Sequence, residues 1–282
     1  MSRTTHALVV ALLAASPAAF AQRVRVTPDP QAVPAPTPVA ARLPEPAPAP
    51  VPAPATPADV ALAAERKLDA WLTVEARTAL EPVAGQAAAN AAVAVALGRL
   101  LEQEKKYAES ESVLRKAAEA APADPRVPLQ LGETLLRQRR TEDADAAFRR
   151  ATDLATAAVA AQPTAAQRHL VRGTALSRLR RYDEAMEALG KARELDGGSA
   201  ATLYQMGATR AFQQRWAEAV DLLTQTLAKE PGTALAYYYR GLAHEKLGRK
   251  DLMVLDLDRF VKAAASAPEA ERARALLAAA SR

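Results

Sequence analysis

Gly98, Gly132, Gly173, Gly207 and Gly241 are spaced 34, 41, 34 and 34 residues apart, each inside an Ala- or Leu-rich stretch of helical pattern. An isolated glycine costs a helix about 1 kcal/mol relative to alanine. A cost repeated at a fixed period needs a packing reason. Glycine lets a second helix approach the first closely, and repetition means that each helix pair stacks on the next.

Other columns keep the same register. Nine residues after each glycine stand Tyr107, Thr141, Tyr182, Trp216 and Lys250. Three further on come the small Ser110, Ala144, Ala185 and Ala219, and four beyond those the large Leu114, Phe148, Leu189, Leu223 and Leu257. A second small column follows at Ala117, Ala151 and Ala192. Spacings of three and four place these on one helical face. Pro122, Pro163, Pro231 and Gly197-Gly198 mark where the second helices stop. The chain is 50% hydrophobic but only 4% aromatic, and the alanine-rich remainder argues for helices against sheets.

The order Leu-Gly, aromatic, Ala, large apolar, Pro at 34-residue spacing resembles the tetratricopeptide repeat family. Leu97-Gly98, Leu131-Gly132 and Met206-Gly207 fit its Leu-Gly pair, whereas Arg172-Gly173 and Arg240-Gly241 depart from it by exposing a charge. The resemblance implies an all-α, right-handed α-solenoid of helix-turn-helix pairs. Five repeats are expected at 91–124, 125–165, 166–199, 200–233 and 234–267. The second carries seven extra residues, about two helical turns, so its second helix, Glu142 to Ala161, should lengthen and project as a fin. Residues 57–90 read as a degenerate N-terminal pair, with Ala64 in the glycine column and Trp71 between its helices. Residues 268–282 read as a C-terminal capping helix.

Thirteen of the twenty prolines lie before residue 58, which sets the first fifth of the chain apart. Residues 1–21 run from a basic start through an apolar stretch to Ala19-Phe20-Ala21, the pattern of a secretory signal peptide cleaved between Ala21 and Gln22. Its apolar run is too short to span a bilayer, so no membrane span is expected after cleavage. Residues 22–56 are a Pro/Ala-rich linker that favours extended polyproline II.

Chemistry-bearing residues are few. The chain has no cysteine, which excludes disulfides and thiolate metal sites. His169 and His244 lie on the first helices of repeats two apart and cannot share a metal; His244-Glu245 lacks the second histidine of a zinc-protease motif and reads as part of a surface helix. No phosphate loop or nucleophile elbow is present. No catalytic residue, metal or cofactor is expected. The net charge of +5 is too mild and mixed for a nucleic-acid binder. The turns within pairs are basic: Lys105-Lys106, Arg139-Arg140, Arg180-Arg181, Arg215 and Arg249-Lys250. Acids open each following helix, so helix dipoles account for both rows.

In the tetratricopeptide family, partners usually lie in the concave groove lined by first helices. The resemblance places Arg137 and Arg178 in the middle of that groove, and Tyr204, Phe212, Tyr238, Tyr239, Leu242 and Lys246 in its last two repeats. Tyr237 falls in the inward packing column. An aromatic, partly basic groove suits an apolar, partly acidic peptide. The expected protein is a non-enzymatic scaffold of the bacterial periplasm, or alternatively a secreted one, that binds another envelope protein. The alternative is an envelope assembly factor that engages anionic polymer or lipid through the basic turns.

Overall fold

The computed structural model describes residues 55–281; the expected signal peptide and nearly all of the expected linker lie outside them. The described residues contain thirteen α-helices and a short 3-10 turn at Glu81–Gln86. Helix α1 (Pro57–Asp69) opens on a reciprocal cap: Asp59 N–H donates to Thr56 Oγ1 at 3.2 Å and Thr56 N–H to Asp59 Oδ2 at 2.9 Å. Helix α2 (Thr73–Leu80) completes that pair. Five further pairs follow: α3 (Ala91–Gln103) with α4 (Tyr107–Ala120), α5 (Arg126–Arg137) with α6 (Thr141–Ala161), α7 (Ala166–Arg178) with α8 (Tyr182–Asp196), α9 (Ala200–Phe212) with α10 (Trp216–Lys229), and α11 (Ala234–Lys246) with α12 (Lys250–Ala263). Helix α13 (Ala270–Ala280) closes the stack.

The glycine column packs on the large apolar column. A Cβ built on Gly98, Gly173, Gly207 or Gly241 would stand 3.1, 2.6, 2.7 and 2.7 Å from Leu114, Leu189, Leu223 and Leu257, and one on Gly132 would run into the Phe148 ring. All five large side chains are fully buried. Ser110, the polar member of the small column, is buried as well and satisfies its hydroxyl by donating to the Gly98 carbonyl at 3.0 Å.

One turn repeats six times. Trp71, Lys105, Arg139, Arg180, Gln214 and Gly248 each follow the first helix of a pair by two residues and adopt φ of 59°, 62°, 62°, 60°, 61° and 70°. The chain folds back through two amides, as where Lys106 N–H donates to Leu101 O at 2.8 Å and Lys105 N–H to Glu102 O at 2.9 Å. This is the Schellman closure, and only Gly248 supplies the residue type that adopts it without strain. The basic residue after the left-handed position then pairs with the acid in the next helix's first turn, Arg140 with Asp143 at 2.7 Å and Arg181 with Glu184 at 2.6 Å.

Three sequence expectations need correction. Helix α6 is 21 residues long against 14 in α4, α10 and α12, but its added turns are not a free fin: Ala155 is fully buried and Arg168 donates to the Ala158 carbonyl at 2.6 Å. Arg240 is not an exposed charge. It makes a two-pronged ion pair with Asp256, at 2.8 and 2.7 Å, and Asp256 is 1% exposed. His244 is likewise buried, with Nε2 3.8 Å from Asp256, because α12 covers that side of α11.

The two ends of the stack meet. Trp71 Nε1 donates to Ser266 Oγ at 3.1 Å, and Ala70 lies 3.3 Å from where a Gly232 Cβ would stand. No helix among the described residues is long and apolar enough to cross a membrane.

Candidate partner-binding groove

First helices place their last turns on the concave side, and neighbouring repeats bring opposite charges together there. Arg99 reaches Asp69 at 2.6 Å and Glu65 at 3.7 Å. Arg137 pairs with Glu102 at 3.1 Å and, across the groove, with Glu269 at 2.9 Å. Arg178 donates to Glu133 at 2.5 Å, and its guanidinium lies 5.6 Å from the Phe212 ring centre. Burial pushes the Glu65 and Glu102 carboxyls up, while Arg99 and Arg137 respectively oppose the shift. Arg137 and Arg178 therefore occupy the groove as expected residues of the stripe, but they are committed to acids and are not free cations.

Beyond Arg178 the stripe turns aromatic. Tyr239 lies at the centre, with ring centres 5.5 Å from Phe212, 5.3 Å from Tyr238 and 6.3 Å from Tyr204, the first two in edge-on geometry. Burial pushes the Tyr204 phenol well up and the Tyr239 phenol up, so both stay neutral. Tyr238 is the most deeply buried of the tyrosines at 5% exposed, and it packs on Phe260 at 5.1 Å. Tyr237 is only half-buried and is held between the guanidiniums of Arg240 and Arg259, at 5.8 and 5.7 Å. Tyr237 nonetheless packs against the core that joins α11, α12 and α13, as expected, and Tyr238 is buried in that core more deeply.

A cavity of about 320 Å³ opens here. Phe212, Tyr238, Tyr239 and Leu242 line it together with Ala211 and Trp216, and Lys246, Glu269 and Arg272 stand at its charged side. Five residues of the sequence stripe converge on it: Phe212, Tyr238, Tyr239, Leu242 and Lys246. Tyr204 lies behind Tyr239, and Arg137 and Arg178 belong to the charged ladder next to it. The sequence missed Trp216, Glu269 and Arg272. Trp216 was visible in the aromatic column, but Glu269 and Arg272 sit at the start of α13, where no repeat register applies. At about 320 Å³ the space exceeds a single apolar side chain and is of the size that a short peptide segment fills.

Tetratricopeptide repeat models match residues 91–124, 129–200 and 204–268. The chain belongs to the tetratricopeptide repeat family, whose helical repeats serve as scaffolds for protein interaction. Among solved structures it is similar to the thermophilic tetratricopeptide protein TTC0263 of Thermus thermophilus, at 21% identity over 66% of this chain and 96% of that one, with a TM-score of 0.51. It is also similar to a chain of the APC/C hetero-tetramer Cut9-Hcn1, at 15% identity over 79% of this chain and 41% of that one, with a TM-score of 0.52. At these identities the likeness concerns the fold. No curated protein matches the sequence.

Proposed function

We propose that this protein is a non-enzymatic adaptor of the bacterial periplasm that seats a protein or peptide partner in the C-terminal part of its concave groove. The observation that carries the reading is the aromatic cavity between α9, α11 and α13, which stays open where the rest of the groove is filled by paired charges. Residues 1–21 support the periplasmic setting by their signal-peptide pattern. Polymer binding through the basic turns has less support, since Arg140, Arg181 and Arg215 are each paired within the chain.

Affinity capture from envelope extract tests this, with Phe212→Ala/Tyr239→Ala as the groove variant and Arg139→Gln/Arg180→Gln as the edge variant. The groove variant should lose the captured protein and the edge variant should keep it; the reverse pattern would transfer the function to the turns. N-terminal sequencing of the mature chain should begin at Gln22.

A further inference from the structure

Each arginine of the concave ladder has its acid. Arg99 has Asp69 and Glu65, Arg137 has Glu102 and Glu269, and Arg178 has Glu133. Two cations beside the cavity break that rule. Lys246 meets only Glu245, its neighbour in sequence, at 3.3 Å and with its own side chain 45% exposed. Arg272 lines the cavity, is exposed, and forms no ion pair among the described residues. Glu269, the one acid among the cavity-lining residues, gives Oε1 to Arg137, its Oε2 is buried without a hydrogen-bond partner, and neither oxygen is paired with Lys246 or Arg272. An apolar floor is therefore bordered by two cations with no carboxylate from across the groove to answer them, beside a ladder in which every arginine is answered.

We infer that the cavity selects a peptide segment in which an apolar side chain the size of leucine is followed directly by an aspartate or glutamate. The apolar side chain enters between Phe212, Tyr239 and Leu242, and the carboxylate stands at the rim between Lys246 and Arg272. This rests on the cavity being the partner site. It adds the charge that the partner must bring. A lysine in place of the acid would meet two like charges, and an uncharged residue would leave them unanswered.

Trp216 lines the cavity and reports its occupancy by fluorescence, while the other tryptophan, Trp71, is bonded to Ser266 and does not line it. The full chain is titrated with acetyl-Leu-Asp-amide, its isosteric neutral analogue acetyl-Leu-Asn-amide, and acetyl-Gly-Asp-amide. The Leu-Asp probe should bind about fivefold more tightly than Leu-Asn, a ratio that one exposed ion pair supplies. The preference of Leu-Asp over Leu-Asn should vanish in Lys246→Gln/Arg272→Gln and at 1 M salt. Gly-Asp should give no response. Equal binding of Leu-Asp and Leu-Asn overturns the charge selection and leaves the cavity as an apolar partner site. No response to either leucine probe overturns both.

Discussion

A Cβ added to Gly173 would lie 2.6 Å from Leu189 Cγ and 3.0 Å from the backbone oxygen of Ala185. The side chain can turn aside, but the backbone of α8 cannot. Gly190 lies in α8 too, with nothing within 4 Å of where its Cβ would be. Alanine should therefore act in opposite directions at the two sites. Gly173→Ala should destabilise by about 1–3 kcal/mol through overpacking, and Gly190→Ala should stabilise by up to about 1 kcal/mol through helix propensity. Urea denaturation of the two variants decides it.

The left-handed turns make a second pair of opposite outcomes. Gly248→Ala places a Cβ at φ 70° and should cost about 1 kcal/mol. Arg180 already bears that strain at φ 60° and has no ion-pair partner among the described residues. Arg180→Gly should raise stability by about 0.5 kcal/mol, the relief being partly offset by the freer unfolded chain. Thermal melts monitored by circular dichroism would show both shifts.

Helix α12 departs from its siblings on the solvent side. Where Asp143, Glu184 and Glu218 pair with the preceding basic residue at 2.7, 2.6 and 2.5 Å, the last repeat has Leu252, 45% exposed, and Arg249 has no acid partner among the described residues. Leu252→Glu should restore the pair and stabilise by about 0.3–0.5 kcal/mol at low salt, the gain fading in 1 M salt. A loss of stability would mean that Leu252 has a packing role.

His244 gives a pH dependence with a defined sign. Burial holds its imidazole below the ordinary value of 6.5, Asp256 opposes this, and Arg240 and Arg249 reinforce it. The unfolded chain takes up a proton near pH 6.5 that the folded chain takes up only at lower pH. Stability from this group is complete above 6.5 and falls as the pH drops, no more steeply than about 1.4 kcal/mol per pH unit. His244→Gln should flatten that limb of the stability curve relative to the unsubstituted chain.

The repeat was legible because its cost was visible: five glycines inside helices, facing Leu114, Phe148, Leu189, Leu223 and Leu257 in the same register. The turns were not, because Lys105, Arg139, Arg180 and Gln214 adopt a conformation their side chains do not advertise, and only Gly248 signals it. Arg137 and Arg178 were legible as groove residues but not as paired ones. Their acids stand in the preceding repeat, Glu102 and Glu133, or on the cap, Glu269, so the pairing appears only when consecutive first helices are read side by side. The contact between Trp71 and Ser266 depends on how far the stack winds, which no single repeat encodes.

On the proposed function, a partner enters the cavity under Phe212, Tyr239 and Leu242. Phe212, only half-buried at the end of α9, lines that cavity, and Phe212→Ala removes its wall while leaving the buried Leu242 in place. Titration calorimetry of the captured partner against this variant, with the melting temperature of each protein measured alongside, is the direct test. At least a tenfold loss of affinity, with melting within a few degrees of the unsubstituted chain, is the predicted result. Unchanged affinity would place the partner elsewhere on the solenoid.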